Sequence, residues 1–174
     1  MALTTLDIKE PGLNVLPPGV ERYTVEGGGL TGIQILPDDE IEIINNEGNQ
    51  ICEVSAFNKD GKSELAILGL KEIKDNSEIK KILFKKDETS LQALLQLKKR
   101  NLNIEKSKSS LVFDKNTKAG ESIKLKSKDK CYCIVAAPGA EMMIHEQNPP
   151  TELTVMVKRS VIKEDKEFSL IPDP

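Results

Sequence analysis

Asp39-Glu40-Ile41-Glu42-Ile43-Ile44, then Asn45-Asn46-Glu47-Gly48-Asn49, then Gln50-Ile51-Cys52-Glu53-Val54-Ser55-Ala56-Phe57 is the stretch that decides the fold class. Charge and Ile alternate through residues 40–44, the two-residue period of a half-buried strand. Asn and Gly tolerate positive φ, so Asn45-Asn46-Glu47-Gly48 predicts a tight turn. Residues 50–57 predict the return strand, and the whole unit a β-hairpin. A similar unit recurs downstream, as Gly120-Glu121-Ser122-Ile123-Lys124-Leu125, a turn, and Cys131-Tyr132-Cys133-Ile134-Val135. In each, a polar lead enters an Ile-x-Ile/Leu strand and the return strand carries Cys.

Further strands are expected at residues 21–25, 30–36, 111–113 and 153–159, divided by Gly27-Gly28-Gly29, Pro37-Asp38-Asp39, Pro138-Gly139 and Asn148-Pro149-Pro150. The middle differs. Ile79, Ile82 and Leu83, then Leu91, Leu94 and Leu95, fall at helical spacing, and Lys98, Lys99 and Arg100 suit a helix C-terminus. Residues 101–110 are polar and predict a loop. The chain is thus expected to be mainly β with a helical insertion at about 76–101 (α+β), a β-sandwich or small barrel of antiparallel hairpins. Residues 1–19 predict an irregular lead-in, 20–162 the domain, and 163–174, ending Pro172-Asp173-Pro174, a tail or the start of a linker.

The chain has 174 residues with 25 Lys+Arg against 28 Asp+Glu, so no charge excess points to nucleic acid or a membrane surface. With no Trp, two Tyr and four Phe, the core must be aliphatic and base-stacking platforms are disfavoured. No apolar run approaches the roughly 18 residues of a membrane span, and residues 1–10 lack a secretory pattern. Three cysteines are an odd, small set that suits a reducing cytoplasm.

Few residues carry candidate chemistry. Cys131 and Cys133 project from one face of a strand. If the fold brings Cys52 beside them, they form a three-thiolate zinc site; otherwise they are small buried hydrophobes. His145, the sole histidine, could pair with a cysteine or sit in a surface loop. Glu53, amid apolar neighbours, is a candidate ligand or base, or lies on the solvent side of its strand. Gly27-Gly28-Gly29 lacks the strand-and-helix context of a nucleotide loop.

Two motifs together resemble a known family. Asp38 to Gln50, with Asn45-Asn46-Glu47-Gly48-Asn49-Gln50 at its end, and Gln147-Asn148-Pro149-Pro150-Thr151-Glu152-Leu153 are similar to signatures of the urea-carboxylase-associated family. Leu16-Pro17-Pro18-Gly19 is similar to its entry segment. The second motif is of the kind fused ahead of glycine-cleavage T-protein-like aminomethyltransferases. The resemblance implies an accessory, non-catalytic or substrate-gating domain of a tetrahydrofolate-dependent one-carbon protein. Tetrahydrofolate would bind only in a downstream domain, and the partner would be that domain or a separate enzyme subunit. It also implies an alternative, a zinc hydrolase or partner protein in urea- or guanidine-type nitrogen metabolism, in which Cys52, Cys131 and Cys133, with His145 or Glu53, would hold the metal and Gln50 is a further site candidate. Apart from the resemblance, the paired hairpins leave a third reading, a protein-interaction domain that docks a partner.

Overall fold

The structure, a computed structural model, describes residues 8–9, 17–71, 74–75, 78–139 and 149–161. Its strands are β1 (Ile8–Lys9), β2 (Val20–Val25), β3 (Leu30–Ile35), β4 (Glu40–Asn45), β5 (Cys52–Phe57), β6 (Lys74–Asp75), β7 (Lys108–Phe113), β8 (Ser122–Lys126), β9 (Cys131–Ala136) and β10 (Leu153–Lys158). A 3-10 turn spans Leu65–Leu68, and the helices are α1 (Glu78–Leu83) and α2 (Glu88–Lys99). One sheet has the order β1-β3-β9-β5-β7-β6 and the other β2-β10-β4-β8. The eight long strands follow the order of a double-sheet jelly roll, an open sandwich and not a closed barrel. Every long-strand pairing is antiparallel; β1 alone runs parallel to its neighbour.

The expected hairpin does not form. Strand β4 pairs with β10 and β8, whereas β5 lies in the opposite sheet between β9 and β7. Ile41 and Ile43 face Cys52, Val54 and Ala56 across the inter-sheet core, so both strands bury their apolar residues against each other's sheet. Gly48 (φ 79°) and Asn49 (φ 59°) turn the connection in left-handed conformations. Strands β8 and β9 part in the same way. The two sequence repeats are therefore arches, and they stack on each other: β4 pairs with β8 in one sheet and β5 with β9 in the other.

At its central strands β9 and β5 the six-stranded sheet is covered on both faces. Its far side packs Leu30, Phe57, Ile134 and Ala136 against Ile79, Leu83, Ala93 and Leu97 of the helices. This explains why β5 is buried at every position. A strand with two covered faces has no solvent side to alternate with. Helix α2 starts at a capping box, in which the Asp87 carboxylate accepts the Ser90 N–H at 2.7 Å and the Ser90 hydroxyl accepts the Asp87 N–H at 3.1 Å. Strand β7 begins at Lys108, inside the segment expected to be a loop.

A buried ion network closes one end of the sandwich. Arg159, just past β10, donates to Glu21 on β2 at 2.6 and 3.0 Å, to Asp39 at 2.7 Å and to the Gln34 carbonyl on β3 at 2.9 Å. Asp39 also accepts the N–H groups of Leu36 and Ser160, both at 2.9 Å. Tyr23 donates its hydroxyl to Glu21. Burial opposes the Arg159 charge, but its bonds to Glu21 and Asp39 outweigh that and raise its pKa. Arg159→Met would leave two buried carboxylates uncompensated, with an expected loss of about 3–5 kcal/mol at neutral pH. Urea melts of the variant should show part of that loss recovered at low pH, where the carboxylates take up protons.

Candidate functional site

The two motifs behind the family resemblance meet in space. The Gln50 side chain is buried and works in three directions. Its amide nitrogen donates to the carbonyls of Ile51 and Pro138, both at 2.8 Å, and its oxygen accepts the Thr151 N–H at 2.7 Å. Asn45 donates its side-chain amide to the Gln50 carbonyl at 2.8 Å, and Asn46 bonds the Thr154 hydroxyl at 2.8 Å. Gln50 thus joins the β4–β5 arch to the chain on both sides of residues 140–148. Gly27 completes the junction: a Cβ there would lie 2.3 Å from the Pro150 carbonyl oxygen, so only glycine admits that approach. His145 lies outside the described residues.

The three cysteines share the inter-sheet core but do not converge: Cys133 lies beside Ala56, four residues along β5 from Cys52, and Cys131 lies two residues further away along β9. Cys52, Cys131 and Cys133 face the inter-sheet core among Ile, Val and Leu, all buried and free. Burial pushes the Cys131 thiol up to about 11, despite the Ser127 hydroxyl beside it, and raises Cys52 and Cys133 strongly. Among the described residues, no group of three or more His, Cys, Asp or Glu is placed to hold a metal. Spread along two strands among Ile, Val and Leu, the cysteines pack as small buried hydrophobes.

Glu53 is on neither the core side nor the solvent side. It lies on the helix-covered face of β5, buried, with its carboxylate accepting the Ser109 hydroxyl at 2.9 Å. Burial raises its pKa above the ordinary 4.5. The Ser109 bond lowers it, the Glu78 charge raises it, and the backbone N–H groups of Ile79 and Glu78 at the start of α1 lower it. Its hydrogen bonds go to the protein's own framework. Its clear role is to dock α1 on the sheet.

A cleft of about 190 Å³ lies between Gly28–Leu30 and the helix pair, with Leu83 and Ala93 below and Lys85 and Thr89 at the rim. Gly28 (φ 83°) donates its N–H to the Ala137 carbonyl, so the triple glycine forms an arch wall rather than an anion cradle. Sequence reasoning missed Arg159. The available signal was scarcity: only Arg22, Arg100 and Arg159 are Arg in a chain that otherwise uses Lys. Arg100, stacked over Tyr132 at 5.8 Å, is another position where a planar guanidinium is used.

Among curated proteins, the chain is 33% identical over 168 residues to trimethylamine-oxide aldolase of Ruegeria pomeroyi. The match takes in 96% of this chain but only 21% of that enzyme, so the chain spans about a fifth of its relative's length. No protein-family model matches the chain. No helix among the described residues is long and apolar enough to cross a membrane.

Two outcomes follow from these environments. Because the native Glu53 pKa is raised, its stabilising contribution is full below about pH 4.5 and lost as pH rises through the native value. Glu53→Gln cannot titrate, so the difference in urea midpoint between wild type and variant should change across that window, with wild type losing ground as pH rises. Parallel curves would contradict this. At pH 8 Ellman's reagent should leave all three native thiols unreacted and titrate them after denaturation; a native thiol reacting at the rate of free cysteine would contradict the burial argument.

Proposed function

We propose that this chain is an accessory domain, non-catalytic or substrate-gating, of a larger tetrahydrofolate-dependent, aminomethyltransferase-like one-carbon enzyme. The observation that carries the reading is the match of nearly the whole chain to a fifth of a larger enzyme. That enzyme's name gives the substrate class, a methylated amine oxide. All carbons of trimethylamine oxide are methyl carbons, so carbon released from it as an aldehyde is a one-carbon unit. A one-carbon carrier elsewhere in the same assembly therefore makes chemical sense. The hydrogen bond between Gln50 and Thr151 supports the assignment of the domain type to the urea-carboxylase-associated family, because the two motifs form one structural junction. The filled aliphatic core supports an accessory role, since the space between the sheets is taken by side chains and not by a ligand. The partner is a further domain of the same polypeptide or a separate subunit, in a reducing cytoplasm that keeps the thiols free.

The test is direct. An antibody raised against this chain should detect a native polypeptide several-fold heavier than the chain, or a stable complex with an enzyme subunit. That assembly should release formaldehyde or a folate-bound one-carbon unit from a methylated amine oxide, while the 174-residue chain alone should not. Turnover by the chain alone, or stoichiometric zinc in it, would overturn the reading and favour a zinc hydrolase.

A further inference from the structure

Helix α2 carries an exposed face that its own fold does not explain. Ser90, Ala93 and Leu97 are its buried residues. On the opposite side, Leu91 is 51% and Leu95 58% exposed, and Phe84 just before the helix is 43% exposed. In a chain with 30% charged residues, the nine residues from Thr89 to Leu97 carry no charge. Helix propensity and solubility favour Lys or Glu at exposed sites, so two leucines one turn apart mark a contact surface.

The order of charges around these leucines identifies the occupant. Asp87 and Glu88 precede the uncharged stretch and Lys98 and Lys99 follow it, all exposed. Residues 88, 91, 95 and 98 lie on one face at helical spacing. A second copy of α2, laid antiparallel across a two-fold axis at the level of Ala93, places Leu91 against Leu95, Glu88 against Lys98 and Asp87 against Lys99 of that copy. The same pairs then recur on the other side of the axis, as an isologous interface requires. A parallel arrangement sets Lys against Lys and Glu against Glu. We propose that α2 is a self-complementary, antiparallel dimerisation face.

A helix of 12 residues is about 18 Å long. The contact is therefore smaller than the roughly 800 Å² per partner of a stable complex, and the dimer is of the weak, micromolar kind. This inference does not depend on the proposed accessory role, and its test measures no activity.

Sedimentation equilibrium of the 174-residue chain should show a reversible monomer–dimer equilibrium. Leu91→Gln with Leu95→Gln should weaken it by about tenfold or more, with urea midpoint and circular dichroism little changed. Glu88→Lys and Lys98→Glu should each weaken it by roughly twofold to tenfold, because each change affects two symmetric pairs. Combining the two charge changes should restore most of the affinity, although both oppose the α2 dipole and neither helps the helix itself. A chain that is monomeric at every concentration overturns the proposal and leaves the face to a different domain. A dimer indifferent to the leucine changes, or charge changes that add without recovery, overturns it as well.

Discussion

One guanidinium holds the two sheets together at their open end. Arg159 leaves β10 in one sheet and bonds Glu21 on β2 of that sheet, the backbone of β3 in the other, and Asp39 in the turn that joins β3 to β4. Four chain segments, separated by up to 138 residues in sequence, meet at one planar cation. Lysine could not replace it, because the bonds to Glu21 need two parallel N–H donors in a fixed plane. Desolvating these charges has a cost, so the network contributes specificity of assembly as well as stability. Once Arg159 is seated, β10 can lie only between β2 and β4.

The second constraint is that the centre of the six-stranded sheet, β9 and β5, has no wet face. The four-stranded sheet covers one side and the helices the other. The chemistry of the candidate residues follows from this. The thiols face an aliphatic interior and stay protonated, and Glu53 is buried beneath α1 with its bonds spent on the frame. Gln50 is different. It is buried where backbone from three segments comes together, and its amide can donate and accept at once, so it serves as a staple.

Local order was legible in the sequence and partnership was not. The period-two pattern of residues 40–44, the Leu spacing of α2 and the Gly-Pro punctuation located nearly every element. The same pattern misled on pairing. Alternation says that Ile41 and Ile43 share a face, but it does not say whether the next strand lies beside or opposite them. The two Cys-bearing repeats looked like hairpins for this reason and are arches. Glu53 was misplaced because a strand covered on both faces looks, residue by residue, like one with a polar side. Arg159 was missed because its partners Glu21, Gln34 and Asp39 lie more than 100 residues away in sequence, and no local pattern points to them. The joining of Gln50 to Thr151 was not legible, since no rule of spacing connects residues 101 apart.

The arches have a consequence for how the chain acquires its structure. No long strand pairs through a tight turn with the strand that follows it. Strand β2 waits for β10, β3 for β9 and β4 for β8. Contacts so distant in sequence make folding slow, because long loops must close before any ladder forms. During synthesis the first three long strands leave the ribosome with apolar faces and open edges well before their partners exist. Until then their exposed edges are open to pairing with other chains, and the wait ends only when β10 and Arg159 have emerged.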